Sequence, residues 1–141
     1  MSYNTEMDRK KLLKRIAYLI LIIFLLNFLA GKFYWYSTIW YFDMPMHFLG
    51  GFWLGLMFFL IFIHFQPKLE PKLGLLIKVI LGVLLIGILW ELFELVFYNY
   101  IGKNPFNTLD TMSDICFDLA GGLSSIFYVS KRIMPEIINE V

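Results

Sequence analysis

Residues 44–65 read MPMHFLGGFWLGLMFFLIFIHF and contain two histidines but no lysine, arginine, aspartate or glutamate. A helix rises about 1.5 Å per residue, and the hydrocarbon core of a bilayer is roughly 30 Å thick. A stretch of this length and composition is therefore long enough to cross a membrane as a single helix. It predicts a transmembrane segment near the middle of the chain.

Three further apolar stretches lie at residues 16–30, 73–101 and 115–129. The second of these is long enough to span a bilayer alone, and the other two become long enough when their interfacial ends are included. With 60% hydrophobic and 16% charged residues, the 141-residue chain has too little polar surface for a soluble globule. We predict an all-α integral membrane four-helix bundle forming one domain over residues 1–141, with helices at about 12–31, 44–65, 73–101 and 114–130.

The basic residues predict an orientation. Lysine and arginine concentrate before the first stretch, after the second and after the fourth, whereas the other two connections carry only Lys32 and Lys103. Cytoplasmic loops carry the excess of basic residues, so both termini are predicted to be cytoplasmic. A cleaved signal peptide is the alternative for the first stretch. Its long apolar part and the absence of a clear small-x-small cleavage site favour a retained helix.

An aromatic segment between the first two stretches contains Trp35, Trp40 and Tyr41. Tryptophan and tyrosine are enriched at membrane interfaces, so this segment predicts an interfacial belt and a short helix lying on the outer surface. The chain has one cysteine, Cys116, and therefore no intrachain disulfide.

One polar spacing occurs twice, as DMPMHFLGG at residues 43–51 and as DICFDLAGG at residues 114–122. Each copy places two metal- or proton-binding side chains one helical turn apart, followed by a glycine pair. Small residues four apart let membrane helices pack closely, and both copies continue into such a pattern. We therefore expect the second and fourth helices to pack together and to bring His47 beside Asp118.

Acidic residues cluster at one predicted depth, near the outer ends of three helices. Such residues are expensive inside a membrane and mark functional sites, because nearby carboxylates must hold protons or bind a cation. Asp110, Asp114 and Asp118 form one stripe along a helix face only if the last helix starts before Asp110, since Ser113 is an alternative helix cap. The candidate metal ligands are Asp43, His47, Glu91, Glu94, Asp110, Asp114 and Asp118.

These residue types suit a divalent ion such as Mg²⁺, Mn²⁺, Ca²⁺ or Zn²⁺, because carboxylates prefer hard ions and the imidazole also permits Zn²⁺. In an enzyme, His47 and Glu91 would be the catalytic residues. The sequence leaves enzymatic activity open. The alternatives are an ion- or proton-coupled transporter, and a non-catalytic protein that binds lipid or assists assembly, in which the polar groups join helices.

The motif order DMPMHFLGG, WELFE at residues 90–94 and DTMSDICFDLAGG at residues 110–122 resembles the small polytopic YjdF-type proteins and, more distantly, the VanZ-like proteins. The resemblance covers roughly residues 40–125 and implies a fold and a site more than an activity. The chain departs from the VanZ-like pattern at Pro45 and in having no arginine near the glutamate pair. The aspartate stripe is also similar to that of CDP-alcohol phosphotransferases and prenyltransferases, but the Asp-Gly-x2-Ala-Arg portion is missing.

The predicted function is therefore that of a multi-pass protein, in a prokaryotic plasma membrane, with a metal-binding cavity facing the outer leaflet. Metal-assisted hydrolysis or transfer on a lipid phosphate or ester is the expected enzyme class. The expected partner is a membrane lipid or a lipid-linked substrate, and no nucleic acid is expected.

Overall fold

The computed structural model describes residues 3–65, 72–97 and 107–132, and almost all of these residues are helical. No strand occurs within these three ranges, so the predicted all-helical class is confirmed for them. In chain order the helices are α1 (Tyr3–Phe33), α2 (Trp35–Thr38), α3 (Asp43–Phe65), α4 (Lys72–Phe97) and α5 (Thr108–Arg132).

The start of α5 differs from the prediction. This helix begins at Thr108 instead of residue 114, whereas α3 matches its predicted bounds to within one residue. The Asn107 side-chain oxygen accepts a hydrogen bond from the Leu109 N–H at 3.2 Å and satisfies one free amide of the first turn. Ser113 is therefore not the cap, and Asp110 lies in the first turn of the helix.

The short helix α2 follows a sharp change of chain direction at Tyr34. This residue has a left-handed backbone conformation with φ 57°, which is uncommon for residues other than glycine. The Tyr36 hydroxyl donates a hydrogen bond of 2.6 Å to the Asn27 side-chain oxygen, and this bond ties α2 to α1. A short helix between the first two long ones is thus present where the aromatic segment predicts it.

The helices α3 and α5 run parallel and share the most extensive contact among the helices. A Cβ on Gly51 would overlap the backbone carbonyl group of Asp118, and one on Gly121 would overlap the carbonyl oxygen of Phe48. The two backbones therefore approach at a distance that only glycine permits. This contact fixes the register of the two copies of the repeated motif.

The other long helices pack against this pair. Helix α4 runs antiparallel to both and contacts both, as Gly82 faces Phe58 while Gly87 faces Asp118. Helix α1 packs mainly on α3, where the Trp53 indole donates a 3.1 Å hydrogen bond to the Ile16 carbonyl. An apolar core joins all four long helices at the end remote from Asp43, and its buried members are Leu12, Ile16, Leu56, Phe59, Val79 and Val129.

Three helices of the described chain are long and apolar enough to cross a membrane, over Arg9–Phe33, Asp43–Phe62 and Gly74–Phe97. Much of their surface is formed by exposed large apolar side chains, including Phe24, Leu85 and Phe93. Helix α5 is not among the three, because its polar residues lower its hydropathy. The predicted end of the third long helix, residues 98–101, lies outside the described ranges.

Candidate functional site

His47 is the central residue of a polar cluster where α3 and α5 begin and α4 ends. Its Nε2 lies 3.7 Å from an Asp43 oxygen and 4.0 Å from an Asp114 oxygen. Its Nδ1 lies 3.4 Å from an Asp118 oxygen. The ring is 7% exposed, and Asp114 and Asp118 are 2% and 6% exposed. The imidazole thus meets a carboxylate at each nitrogen in a site largely closed to solvent.

Two spacings of four residues assemble this cluster. Asp43 and His47 lie one turn apart at the start of α3, and Asp114 and Asp118 lie one turn apart in the first half of α5. Because α3 and α5 run parallel in the register that Gly51 sets, the two pairs face each other. Helix packing through glycine therefore determines which carboxylates reach the histidine.

Three of these residues form a group that is able to hold a metal ion. Asp43, His47 and Asp114 each offer one ligand atom, and the three atoms lie within 4.8 Å of one another. Two carboxylate oxygens and one imidazole nitrogen form a donor set found for Zn²⁺ and for other first-row divalent ions. Three protein ligands also leave coordination positions for water or a substrate.

Asp118 occupies a different place around the same ring. Its oxygen faces Nδ1, whereas the oxygens of Asp43 and Asp114 face Nε2. Metal-binding histidines commonly donate their other N–H to a carboxylate, which sets the tautomer and orients the ring. The geometry therefore suits Asp118 to a positioning role for His47, and it places Asp118 outside the group of possible ligands.

Helix α4 contributes Gly87 and Glu91 to the wall of the cluster. A Cβ on Gly87 would lie 2.8 Å from an Asp118 oxygen, so this glycine admits the carboxylate against the helix. Glu91 lies one turn further along and is 8% exposed. Its Oε1 has no hydrogen-bond partner among the described residues, while the Thr111 hydroxyl lies beside the carboxyl group.

Glu94 and Asp110 do not belong to the ligand group, but both lie close enough to act electrostatically on Asp43. Glu94 is half-buried and accepts a 3.0 Å hydrogen bond from the Trp90 indole N–H. Asp110 is exposed in the first turn of α5. The seven candidate residues therefore divide into three possible ligands, two buried neighbours and two peripheral carboxylates. Their roles in function stay predictions.

Sequence reasoning did not single out Gly87 or Thr111. Gly87 had a detectable signal, because a small residue one turn before Glu91 marks a place where another group approaches the backbone. Thr111 had none, since its position depends on how α5 meets α4.

On α3, α4 and α5 near the cluster, His47 is the basic side chain beside these carboxylates, and no lysine or arginine accompanies it. The sequence has no lysine or arginine between Lys32 and Lys68, between Lys78 and Lys103, or between Lys103 and Lys131. A protonated His47 would balance one negative charge, and each further buried carboxylate is costly unless it is protonated or binds a cation. The arrangement is therefore chemically suited to hold a positive ion.

A protein-family model described as "Predicted membrane protein (DUF2238)" matches residues 3–134, which is nearly the whole chain. The chain therefore belongs to this family of membrane proteins. No curated protein and no solved structure matches the chain.

Proposed function

With membership of a membrane-protein family as the premise, we propose that the chain binds a divalent metal ion between Asp43, His47 and Asp114. The single observation that carries this proposal is the convergence of three ligand atoms from α3 and α5, where His47 and Asp114 are buried and Asp43 is partly exposed. The mixture of oxygen and nitrogen donors favours Zn²⁺ or Mn²⁺ over Mg²⁺ and Ca²⁺, which prefer oxygen alone.

The site lies near the outer face of a four-helix bundle in this proposal, and α5 is the fourth spanning helix. The α5 helix has the length of a spanning segment, and its buried polar residues face α3 and α4. The concentration of lysine and arginine near both termini supports a cytoplasmic location for them. A prokaryotic plasma membrane and the relation to YjdF-type and VanZ-like proteins are further parts of the proposal, supported by the order of the motifs.

The proposed activity is metal-assisted hydrolysis or transfer on a lipid phosphate or ester. A metal ion with open coordination positions polarises a phosphoryl or carbonyl oxygen and supplies a nucleophilic water. An ion also neutralises the charge of a phosphate group where lysine and arginine are absent, as they are near the cluster on these helices. Position near the membrane surface suits a substrate that is itself a membrane component.

Metal content and thermal unfolding of the purified protein in detergent test the proposal. After chelator treatment, Zn²⁺ or Mn²⁺ should raise the melting temperature of the wild type, because an ion that binds only the folded state stabilises it by about 2.7 kcal/mol at 100 times its Kd. Asp114→Asn should gain no stabilisation. Asp110→Asn, the same change at an exposed position on the same helix, should respond like the wild type.

Equal melting temperatures with and without ions in the wild type, and no retained metal on elemental analysis, would overturn the metal-site proposal. Stabilisation that is identical in Asp114→Asn would place the ion somewhere else.

A further inference from the structure

Glu91 is a buried carboxyl group that neither belongs to the proposed ligand group nor contacts His47 as Asp118 does. It is more than nine-tenths buried, and its Oε1 lacks a hydrogen-bond partner among the described residues. Buried polar atoms in folded proteins nearly always have a partner, so an orphan of this kind calls for a bound group to complete it. The Thr111 hydroxyl lies beside the same carboxyl group, and His47, Asp118 and Asp43 act on it electrostatically, so the carboxyl belongs to the same polar cluster.

The position of Glu91 separates it from the ligands. The atoms of Asp43, His47 and Asp114 lie within 4.8 Å of one another, and Glu91 is not part of that group. It approaches from α4, whereas all three proposed ligands come from α3 and α5. A carboxyl group of the same cluster that is not a ligand is available for proton exchange with a molecule bound at the site.

We infer that Glu91 is the proton-transfer group for hydrolysis of an ester of an amphiphilic molecule at this site. The inference rests on the proposed function. In the reaction, the Glu91 carboxylate would take a proton from a water molecule while the water oxygen forms a bond to the carbonyl carbon or phosphorus of the ester. An ion held by Asp43, His47 and Asp114 would polarise the ester and make that water more acidic. The bond to the leaving alcohol oxygen breaks, and that oxygen takes the proton from Glu91. No oxidant or reductant is needed.

The surroundings of the cluster favour an amphiphile. At the same end of the molecule, Trp40 is 82% exposed and Leu109 is 79% exposed. Tryptophan and tyrosine side chains, such as Trp40 and the exposed Tyr41, prefer the boundary between water and hydrocarbon, where a lipid carries its ester bonds. A substrate arriving there would meet the ion site without leaving the membrane.

The test compares Glu91→Gln with Glu94→Gln in detergent-purified full-length protein loaded with Zn²⁺ or Mn²⁺. The control glutamate is on the same helix but already accepts the Trp90 hydrogen bond. The probes are bis(p-nitrophenyl) phosphate and p-nitrophenyl butyrate in mixed micelles, which distinguish a phosphate ester from a carboxylic ester. Zinc affinity is measured in parallel by competition with a chromophoric chelator.

We expect the metal-loaded wild type to hydrolyse one of the two probes. Glu91→Gln should lower that rate by about 10²- to 10⁴-fold, as loss of a general base does, while the zinc affinity stays within about threefold. Glu94→Gln should stay close to the wild-type rate. If Glu91→Gln does not fold, Glu91→Asp replaces it as the test of proton transfer. Aspartate keeps the carboxyl group on a shorter side chain, so this variant should hydrolyse the probe measurably but more slowly than the wild type.

Unchanged hydrolysis in Glu91→Gln, or no hydrolysis of either probe by a metal-loaded wild type, would overturn the inference and leave the ion site standing. Loss of zinc binding in Glu91→Gln would make Glu91 a ligand and also overturn it. A wild type that binds no ion at all would remove the proposed function itself.

Discussion

Asp118→Asn distinguishes a residue that orients a metal ligand from one that binds the metal. The Asp118 oxygen lies 3.4 Å from His47 Nδ1, and Nε2 points towards the other two carboxylates. An acceptor at Nδ1 keeps the proton on that nitrogen and leaves Nε2 free to bind an ion. The amide of asparagine keeps the shape of the side chain and can still accept this hydrogen bond, but it has no negative charge.

The size of the effect follows from this geometry. Loss of a carboxylate that supports a metal-binding histidine lowers metal affinity by about 10- to 100-fold. That factor corresponds to about 1.4 to 2.7 kcal/mol of binding free energy. Removal of a ligand such as Asp114 should lower the affinity further, because the ion loses a direct bond. The expected order of zinc affinity is wild type, then Asp118→Asn, then Asp114→Asn.

The assay is titration of the purified protein with Zn²⁺ against a chromophoric chelator in detergent. Asp110→Asn is the matched control, since it removes one charge from an exposed position on α5. Wild-type affinity in Asp118→Asn would refute the positioning role. An affinity as low as that of Asp114→Asn would instead make Asp118 a ligand.

Two further predictions concern packing and orientation. Gly51→Ala should lower the free energy of unfolding by about 1 to 3 kcal/mol or more, because its Cβ would overlap the backbone of α5. In the control Gly50→Ala, the new Cβ meets no atom within 4 Å, so the change should be neutral or stabilising. Urea or thermal unfolding in detergent measures both. In a Cys116→Ser background, Leu109→Cys should react with an impermeant thiol reagent in intact cells and Lys131→Cys should not; the reverse labelling pattern would place the site on the cytoplasmic side.

The contact between α3 and α5 could be predicted from the sequence because its determinants are local. Small residues four apart favour a close helix contact, and here Gly51 meets the backbone of Asp118 while Gly121 meets the backbone of Phe48. The spacing of four that unites Asp43 with His47 is equally local, since it depends only on helical geometry. These two regularities are enough to bring the aspartates of α5 near the histidine.

The different roles of Glu91 and Glu94 could not be predicted in the same way. Helix α4 is apolar on all sides, so no periodicity in its sequence shows which face meets α3 and α5. Two glutamates three residues apart are equivalent until packing buries one and leaves the other half-exposed. The role of Asp118 could not be predicted either, because the rotation of α5 against α3 determines which nitrogen of His47 it faces.

The polarity of α5 has a consequence for how the protein is made. The helix carries Asp114 and Asp118 on the face that α3 and α4 cover, and by composition it does not qualify as a membrane span on its own. A nascent segment of this kind gains little from partitioning alone into lipid, because unpaired carboxyl groups at that depth are costly. In the proposed four-span arrangement, we therefore expect α3 and α4 to remain at the insertion machinery until α5 emerges, so that α5 enters the membrane already docked to them.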